Sequence, residues 1–277
     1  MAKTAKKQAA KKPAAKTAWE KVALARDAKR PHVRDFIAAL CDGGFEELHG
    51  DRLAADDPAI VAGFGRIGRH RVLVIGHNKG ANVEENMQSN FGMANPDGYR
   101  KAMRLAKLAE RFGCQIVTLV DTPGAYPGRE AEERGQAEAI AKSLEFFSEL
   151  RTPVTVVVTG EGGSGGALAI AVGDNILMME NAVYSVISPE GCAGILWRDG
   201  SKAPEAAEAL KITAHDLERL GAIDGIIPEP AGGAQTDPAA ACKAVREAVL
   251  ASLDKLAEIP AGELAKRRYA KLRAYGA

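Results

Sequence analysis

Cysteine and histidine are scarce in this 277-residue chain, which has four of the first and five of the second. The cysteines lie far apart in the sequence and include no CxxC pair: Cys41, Cys114, Cys192 and Cys242. This spacing argues against a structural zinc site and a disulfide framework, so we expect no metal on this chain and a reduced, cytoplasmic setting. No run of about 18 apolar residues occurs, and the sequence therefore predicts no membrane-spanning helix.

Acidic residues are absent from positions 1–16, which carry six of the 37 lysines and arginines. The rest of the chain keeps 31 basic against 36 acidic side chains, a balance that argues against nucleic-acid binding. The Lys/Ala-rich composition of residues 1–18 predicts a disordered tail. It has neither the apolar segment of a secretory signal nor the arginine and serine of a transit peptide. We expect residues 19–277 to form a single domain.

Strands and helices alternate through residues 72–190, which predicts parallel strand pairing and an α/β fold. Two continuous apolar runs, Ile116–Val120 and Val154–Val158, are typical of strands buried on both faces. A turn at residues 68–70 separates a predicted strand pair, Ile60–Ile67 and Val72–Ile75. The other predicted strands are 176–179 and 184–187, and the predicted helices are 19–29, 33–41, 99–112, 132–150, one from about 167, 205–211, 214–220, 238–256 and 262–274.

Five glycines occupy seven positions in Gly160–Gly166, directly after the second apolar run. Glycine allows a ligand to approach the main chain closely. The segment fits a GxGxxG dinucleotide pattern, with Glu180 about 20 residues further on. It also fits a GxSxG nucleophile elbow centred on Ser164. The only later histidine is His215, which fits better in a helix N-terminus capped by Thr213 than in a catalytic triad.

A second segment, Asp121–Gly128, follows the first apolar run. Its DTPG sequence matches a GTPase DxxG switch, but the chain contains no P-loop to hold the phosphates. The carboxyl ends of neighbouring parallel strands share one crevice, so we expect this segment to meet Gly160–Gly166 there. One backbone N–H from each segment can then stabilise an enolate or ureide oxyanion without a side-chain nucleophile.

Ten segments of the chain, in order between about Trp19 and about Ile259, carry a resemblance to one known family. Together they resemble the α subunits of bacterial acetyl-CoA carboxylase carboxyltransferases. The segments are RPHVRDF (30–36), GDRLAADDPAI (50–60), GHNKG (76–80), NFGMANPDGYRKA (90–102), LVDTPGAYPG (119–128), AEERGQAEAIA (131–141), VTGEGGSGGALAIAVGD (158–174), YSVISPEGCAGILW (184–197), KAPEAAEALKITAHDL (202–217) and IDGIIPEPAGGA (223–234).

This resemblance implies a crotonase-like α/β fold, with stacked ββα units, a parallel sheet and C-terminal helices. It implies transfer of a carboxyl group from carboxybiotin, held by a biotin carboxyl carrier protein, to acetyl-CoA. Malonyl-CoA results, in the first step of fatty-acid synthesis. The implied partners also include biotin carboxylase and a β subunit, in an α2β2 assembly. In this family the β subunit carries the zinc and most of the CoA site.

The resemblance also assigns site residues. Backbone N–H groups of its two glycine-containing segments are expected to hold the biotin ureido oxygen, and four further residues are expected to shape the substrate pocket. The first group comprises Gly124, Ala125, Gly162, Gly163, Gly165 and Gly166, and the second Tyr126, Pro127, Gly128 and Ser164.

The chain departs from the family pattern at three places. A Lys/Ala tail replaces the long N-terminal helical segment that precedes Trp19 in other members. Arg129 and Glu130 stand where small residues are usual, so two charges are expected near the pocket. Ala81–Ser89 is acidic where relatives are often basic, which predicts weaker affinity if this loop meets the CoA phosphates.

Two other functions remain open from the residues. A crotonase-type hydratase, isomerase or decarboxylase acting alone needs an acidic base, for which Glu132, Glu133 and Glu161 are candidates. A binding or regulatory protein is the third possibility, supported by the basic tail. Two glycine-containing segments in one crevice are not expected of a scaffold.

Overall fold

An eight-stranded mixed sheet forms the centre of the chain, in a computed structural model that describes residues 16–276. Seven strands lie in the order β1-β2-β3-β4-β5-β6-β8, and β7 pairs with the end of β5. The strands are β1 (Phe45–Glu47), β2 (Ile60–Ile67), β3 (His70–His77), β4 (Gln115–Thr122), β5 (Val154–Gly163), β6 (Asn175–Met179), β7 (Val183–Ser185) and β8 (Gly225–Ile227).

Twelve α-helices surround this sheet in the described part of the chain. They are α1 (Ala18–Ala25), α2 (Val33–Leu40), α3 (Val83–Gln88), α4 (Pro96–Phe112), α5 (Arg129–Glu133), α6 (Gln136–Glu149), α7 (Ser164–Ala171), α8 (Pro189–Trp197), α9 (Ala203–Leu210), α10 (Ala214–Arg219), α11 (Pro238–Ala257) and α12 (Ala261–Arg273). None of the helices within residues 16–276 is long and apolar enough to cross a membrane.

Parallel pairing joins β3, β4, β5, β6 and β8, as the strand–helix alternation predicted. The valines and isoleucines of β4 and β5 have almost no exposed surface, which explains their continuous apolar sequence. β2 and β3 form the predicted antiparallel pair. Gly68 takes a φ of +58° in the turn between them, a conformation that favours glycine.

Two groups of helices pack on the sheet. α4 and α7 contact its central strands, and α6 packs against both helices. α2 and α11 pack against each other, with α2 on β2 and β3 and α11 on β5. A smaller core lies apart from this main one and joins α1 to α9 and β7.

The glycine-rich segment departs from the prediction that β5 ends at Val158. β5 instead continues to Gly163, since β7 pairs with residues 161–163. α7 then begins at Ser164, three residues before the predicted start. The predicted helix 132–150 is also wrong, because Gly135 at φ +82° separates α5 from α6.

Two short strands were not predicted. β1 lies in a segment for which neither a strand nor a helix was predicted, and β8 lies between two predicted helices. The lysine-rich tail lies mostly outside the described residues, and α1 already begins at Ala18, capped by the Thr17 side chain.

Candidate active site

The two glycine-containing segments touch at the carboxyl ends of β4 and β5. A Cβ atom on Gly163 would lie 2.1 Å from the carbonyl oxygen of Pro123. One on Gly166 would lie 2.4 Å from the amide nitrogen of Ala125 and 2.4 Å from the carbonyl carbon of Gly124. Real Cβ contacts are not this short, so both positions require glycine for the main chains to come together.

The other predicted glycines differ in how much room they have. A Cβ on Gly162 would lie 2.6 Å from the ring of Tyr184. At Gly165 the nearest atom is a methyl of Ile140 at 3.4 Å, an ordinary contact. The close approach of the two main chains therefore depends on Gly163 and Gly166, and Gly165 is not needed for it.

Tyr126, Pro127 and Gly128 continue the first segment away from Gly166 and towards α5. The Tyr126 ring lies against Gly128, and Pro127 is exposed. The buried Gln136 amide donates to the carbonyl oxygens of Tyr126 at 2.9 Å and Ala94 at 2.8 Å. Gln136 therefore fixes this segment, a role that only the tertiary structure reveals.

Backbone N–H groups lie at the junction between these segments, and their hydrogen bonding differs. The Thr122 hydroxyl accepts from the Gly124 N–H at 3.1 Å and donates to the Gly124 carbonyl at 2.7 Å. Within residues 16–276, the Ala125 N–H has no hydrogen-bond acceptor. No described side chain caps the N-terminus of α7, whose first N–H groups have no acceptor within the helix itself. Such a site favours an anionic oxygen.

An apolar groove of about 280 Å³ begins at Ser164, beside these N–H groups. It runs between α7, β7 and the C-terminal helix α12. Its walls are formed mainly by aliphatic and aromatic side chains, among them Leu168, Val172, Tyr184, Val186, Leu217 and Tyr275. The groove can therefore accommodate a flat, weakly polar group next to the N-terminus of α7.

Ser164 itself has the backbone of a strand-to-helix turn, with φ +50°. A nucleophile also needs a base, and the described part of the chain pairs Ser164 with no histidine. His215 is exposed in α10, where Thr213 caps the helix as predicted. The Glu180 carboxylate of the dinucleotide pattern instead accepts the backbone N–H of Glu229.

The three acidic residues considered as general bases are either ion-paired or exposed on the surface. Glu161 forms ion pairs with Arg26 at 2.6 Å and with Lys79 at 2.8 Å. Glu132 and Glu133 are exposed on α5, where Glu133 pairs with Arg129 at the surface. These contacts disfavour a general base of the stand-alone crotonase type. In the part of the chain that the structure describes, no cluster of His, Cys, Asp or Glu could hold a metal ion.

His77, the last residue of β3, is completely buried near this site. Its ring nitrogens make no hydrogen bond of ordinary geometry within the described residues, although the backbone of Gly166 and Leu119 lies close to the ring. Burial lowers the pKa of His77 to about 4, outweighing the attraction of the nearby Asp121 carboxylate. The folded chain therefore holds this imidazole neutral at pH 7.

We expect His77→Leu to reduce the acid sensitivity of folding. Between pH 6.5 and about 4, His77 binds a proton in the unfolded wild-type chain but stays neutral in the folded one. The free energy of unfolding of the wild type therefore falls as the pH falls. His77 alone lowers the free energy of unfolding by about 3 kcal/mol across that pH range. Urea denaturation at several pH values measures the slope of the free energy of unfolding against pH for each chain. The control is His215→Leu, at an exposed histidine. Equal slopes for wild type and His77→Leu would contradict the assignment.

Solved carboxyltransferases and a decarboxylase share this fold. The transcarboxylase 12S structure with methylmalonyl-coenzyme A superposes with a TM-score of 0.68 at 23% identity, covering 83% of this chain and 42% of that one. The geranyl-CoA carboxylase β subunit of P. aeruginosa superposes with a TM-score of 0.66 at 20% identity. The match covers 90% of this chain and 46% of that one. A Pseudomonas malonate decarboxylase superposes with a TM-score of 0.66 at 16% identity. The match covers 86% of this chain and 95% of that one. This chain thus spans less than half of the first two, and the predicted crotonase-like α/β fold is confirmed.

Sequence comparisons are more specific. The family model described as acetyl co-enzyme A carboxylase carboxyltransferase-like matches residues 1–276. The acetyl-coenzyme A carboxylase carboxyl transferase subunit alpha of Syntrophotalea carbinolica is 57% identical over 257 residues, covering 92% of this chain and 81% of that protein. Its Thermus thermophilus counterpart is 54% identical, covering 94% and 82%. A Salinispora tropica protein named "subunits beta/alpha" is 57% identical, covering 94% and 46%. The chain therefore belongs to the family of acetyl-CoA carboxylase carboxyltransferase α subunits.

Proposed function

We propose that this chain provides the biotin-binding half of a carboxyltransferase that moves a carboxyl group from carboxybiotin to acetyl-CoA, giving malonyl-CoA. The observation that carries the proposal is the contact of Gly163 and Gly166 with residues 123–125. This contact leaves the Ala125 N–H and the first N–H groups of α7 beside one crevice. The ureido oxygen of biotin needs such donors, and its ring system fits the apolar groove next to Ser164.

The role of these N–H groups is electrostatic. Bound carboxybiotin would supply the carboxyl group. As that group leaves, negative charge would grow on the ureido oxygen, and the freed ureido nitrogen would then take the α-proton of acetyl-CoA, whose α-carbon takes up the carboxyl group. A donor held by Ala125 or by the first turn of α7 stabilises that charge, and one such donor contributes about 3–4 kcal/mol in a buried site. The ion-paired state of Glu161 agrees with a mechanism that uses no side-chain base.

The acetyl-CoA side of the site is assigned to a separate β subunit, which also carries the zinc, in an α2β2 assembly. The fused "subunits beta/alpha" relative supports this pairing. So does α8, where three successive apolar side chains, Ile195, Leu196 and Trp197, are 73%, 65% and 39% exposed. Exposed side chains of this kind commonly mark a protein interface. The biotin carboxyl carrier protein and biotin carboxylase complete the proposed cytoplasmic complex.

Activity is expected only when this chain is combined with its β subunit. The assay measures malonyl-CoA formation from acetyl-CoA and carboxybiotin, using the purified chain alone, the β subunit alone and their mixture. The chain alone holds the N–H donors but no assigned CoA site, so it should give no product. Hydration or decarboxylation of an acyl-CoA by the chain alone, with no malonyl-CoA from the mixture, would favour the stand-alone crotonase enzyme instead.

A further inference from the structure

A bulge in β5 lies just before the glycine contact. β4 advances by two residues between the pairs Val120–Val158 and Thr122–Gly162, whereas β5 advances by four. Two extra residues of β5 therefore lie opposite Asp121. Bulges of this kind re-aim a strand and are common beside functional sites.

The Asp121 carboxylate fills the bulge. Its Oδ1 accepts the backbone N–H of Glu161 at 2.9 Å. The same oxygen lies 2.5 Å from the place that a Cβ atom on Gly160 would take. The side chain of β4 thus replaces the ladder hydrogen bond that the extra residues of β5 would otherwise lose.

Lys79 joins this carboxylate to a second one. Its Nζ lies 3.1 Å from Asp121 Oδ1 and 2.8 Å from Glu161 Oε2, and all three side chains are less than 20% exposed. Burial alone lowers the pKa of Lys79, but the two carboxylates outweigh burial and raise it. Arg26 also pairs with Glu161, whereas Lys79 is the only cation paired with Asp121 in residues 16–276.

We propose that Lys79 is a positioning residue, whose ammonium holds the Asp121–Glu161 bulge and so sets where Gly163 meets Pro123. Glu161 stands two residues before Gly163 and Asp121 two before Pro123, so a shift at the bulge moves both sides of the glycine contact. Without Lys79, two adjacent buried carboxylates repel each other. This inference rests on the proposed function, since it assigns the glycine contact a catalytic role.

Lys79→Met is the test, in the complex of the full chain with its β subunit. We expect kcat to fall 10- to 100-fold with the KM for acetyl-CoA unchanged, because Lys79 orients main-chain donors and binds no substrate. Lys79→Arg keeps the charge and should recover most of the activity. The matched control is Lys142→Met, which removes an exposed lysine paired with Glu138 on α6 and should leave kcat unchanged.

Hydrogen exchange of the peptide 158–166 gives a second measurement that needs no activity. It should become faster in Lys79→Met and stay unchanged in Lys142→Met, even if the proposed reaction is wrong. If Lys79→Met does not fold, the charge-balanced pair Lys79→Met with Asp121→Asn replaces it, with the same loss of kcat expected. Unchanged kcat and exchange, a raised KM alone, or an arginine variant as inactive as the methionine variant would each overturn the proposal.

Discussion

Gly163→Val is expected to abolish malonyl-CoA formation by the complex with the β subunit. The new Cβ would lie 2.1 Å from the Pro123 carbonyl oxygen, and no side-chain rotation moves a Cβ away from the backbone that it meets. The two segments must separate, which moves the proposed N–H donors of the ureido oxygen apart. Loss of one oxyanion donor costs 10²- to 10³-fold in rate, so a loss of about a thousand-fold or more is expected.

Two further variants sharpen this test. Gly166→Ala adds only a methyl group, 2.4 Å from the Ala125 amide nitrogen, and should also inactivate the complex. Gly262→Ala is the control, because a Cβ there meets nothing within 4 Å on α12. Thermal melting should show all three chains folded. If Gly163→Val retains a tenth or more of wild-type activity, the glycine contact is not the source of catalysis.

Arg268→Met should destabilise the chain by about 3–5 kcal/mol, the usual effect of removing one partner from a buried ion pair. Arg268 on α12 has no exposed side-chain surface and lies 2.6 Å from an oxygen of Asp174, which is itself 6% exposed. The guanidinium also donates to three carbonyl oxygens, at 2.7, 2.9 and 3.2 Å: those of Phe147, Leu150 and Thr152. The variant leaves the Asp174 charge and these acceptors without their donor.

The neighbouring Arg267 offers a matched control. It is exposed on the same helix, so Arg267→Met makes the same chemical change without uncovering a buried charge. Urea denaturation measures the free energy of unfolding of both variants. Effects of equal size would show that the buried pair of Arg268 with Asp174 contributes no more than a surface arginine.

The sequence predicted the centre of the fold because the signals there are local. Ile116–Val120 and Val154–Val158 are apolar without interruption, and both are buried parallel strands. β1 and β8 were missed because three residues carry too little pattern, and each is a strand only through a distant partner. The break at Gly135 was missed because a single glycine within a helical pattern is often tolerated, and no proline or second glycine marks a boundary beside it.

The candidate site was predicted in part for the same reason. Its glycines stand in two recognisable segments, and the structure brings Gly163 and Gly166 against residues 123–125. Arg26 and Lys79 gave no such signal, because 135 and 82 positions separate them from Glu161 along the chain. Lys79 stood out only as part of GHNKG (76–80), one of the segments that carry the family resemblance. Charge pairing across the fold is set by tertiary structure, which one sequence does not encode locally.

The small core around α1 links the ion pair of Arg26 with Glu161 to how firmly this helix is packed. α1 places Ala18, Val22 and Ala25 in that core and packs Trp19 against it, and the core is separate from the main one. Segments with so few buried contacts open at a lower free-energy cost than the whole domain. Arg26 caps α1, so each such opening removes one of the two cations on Glu161. We therefore expect the lifetime of that ion pair to follow the opening of α1, whose C-cap Arg26 stands 135 positions from Glu161 along the chain.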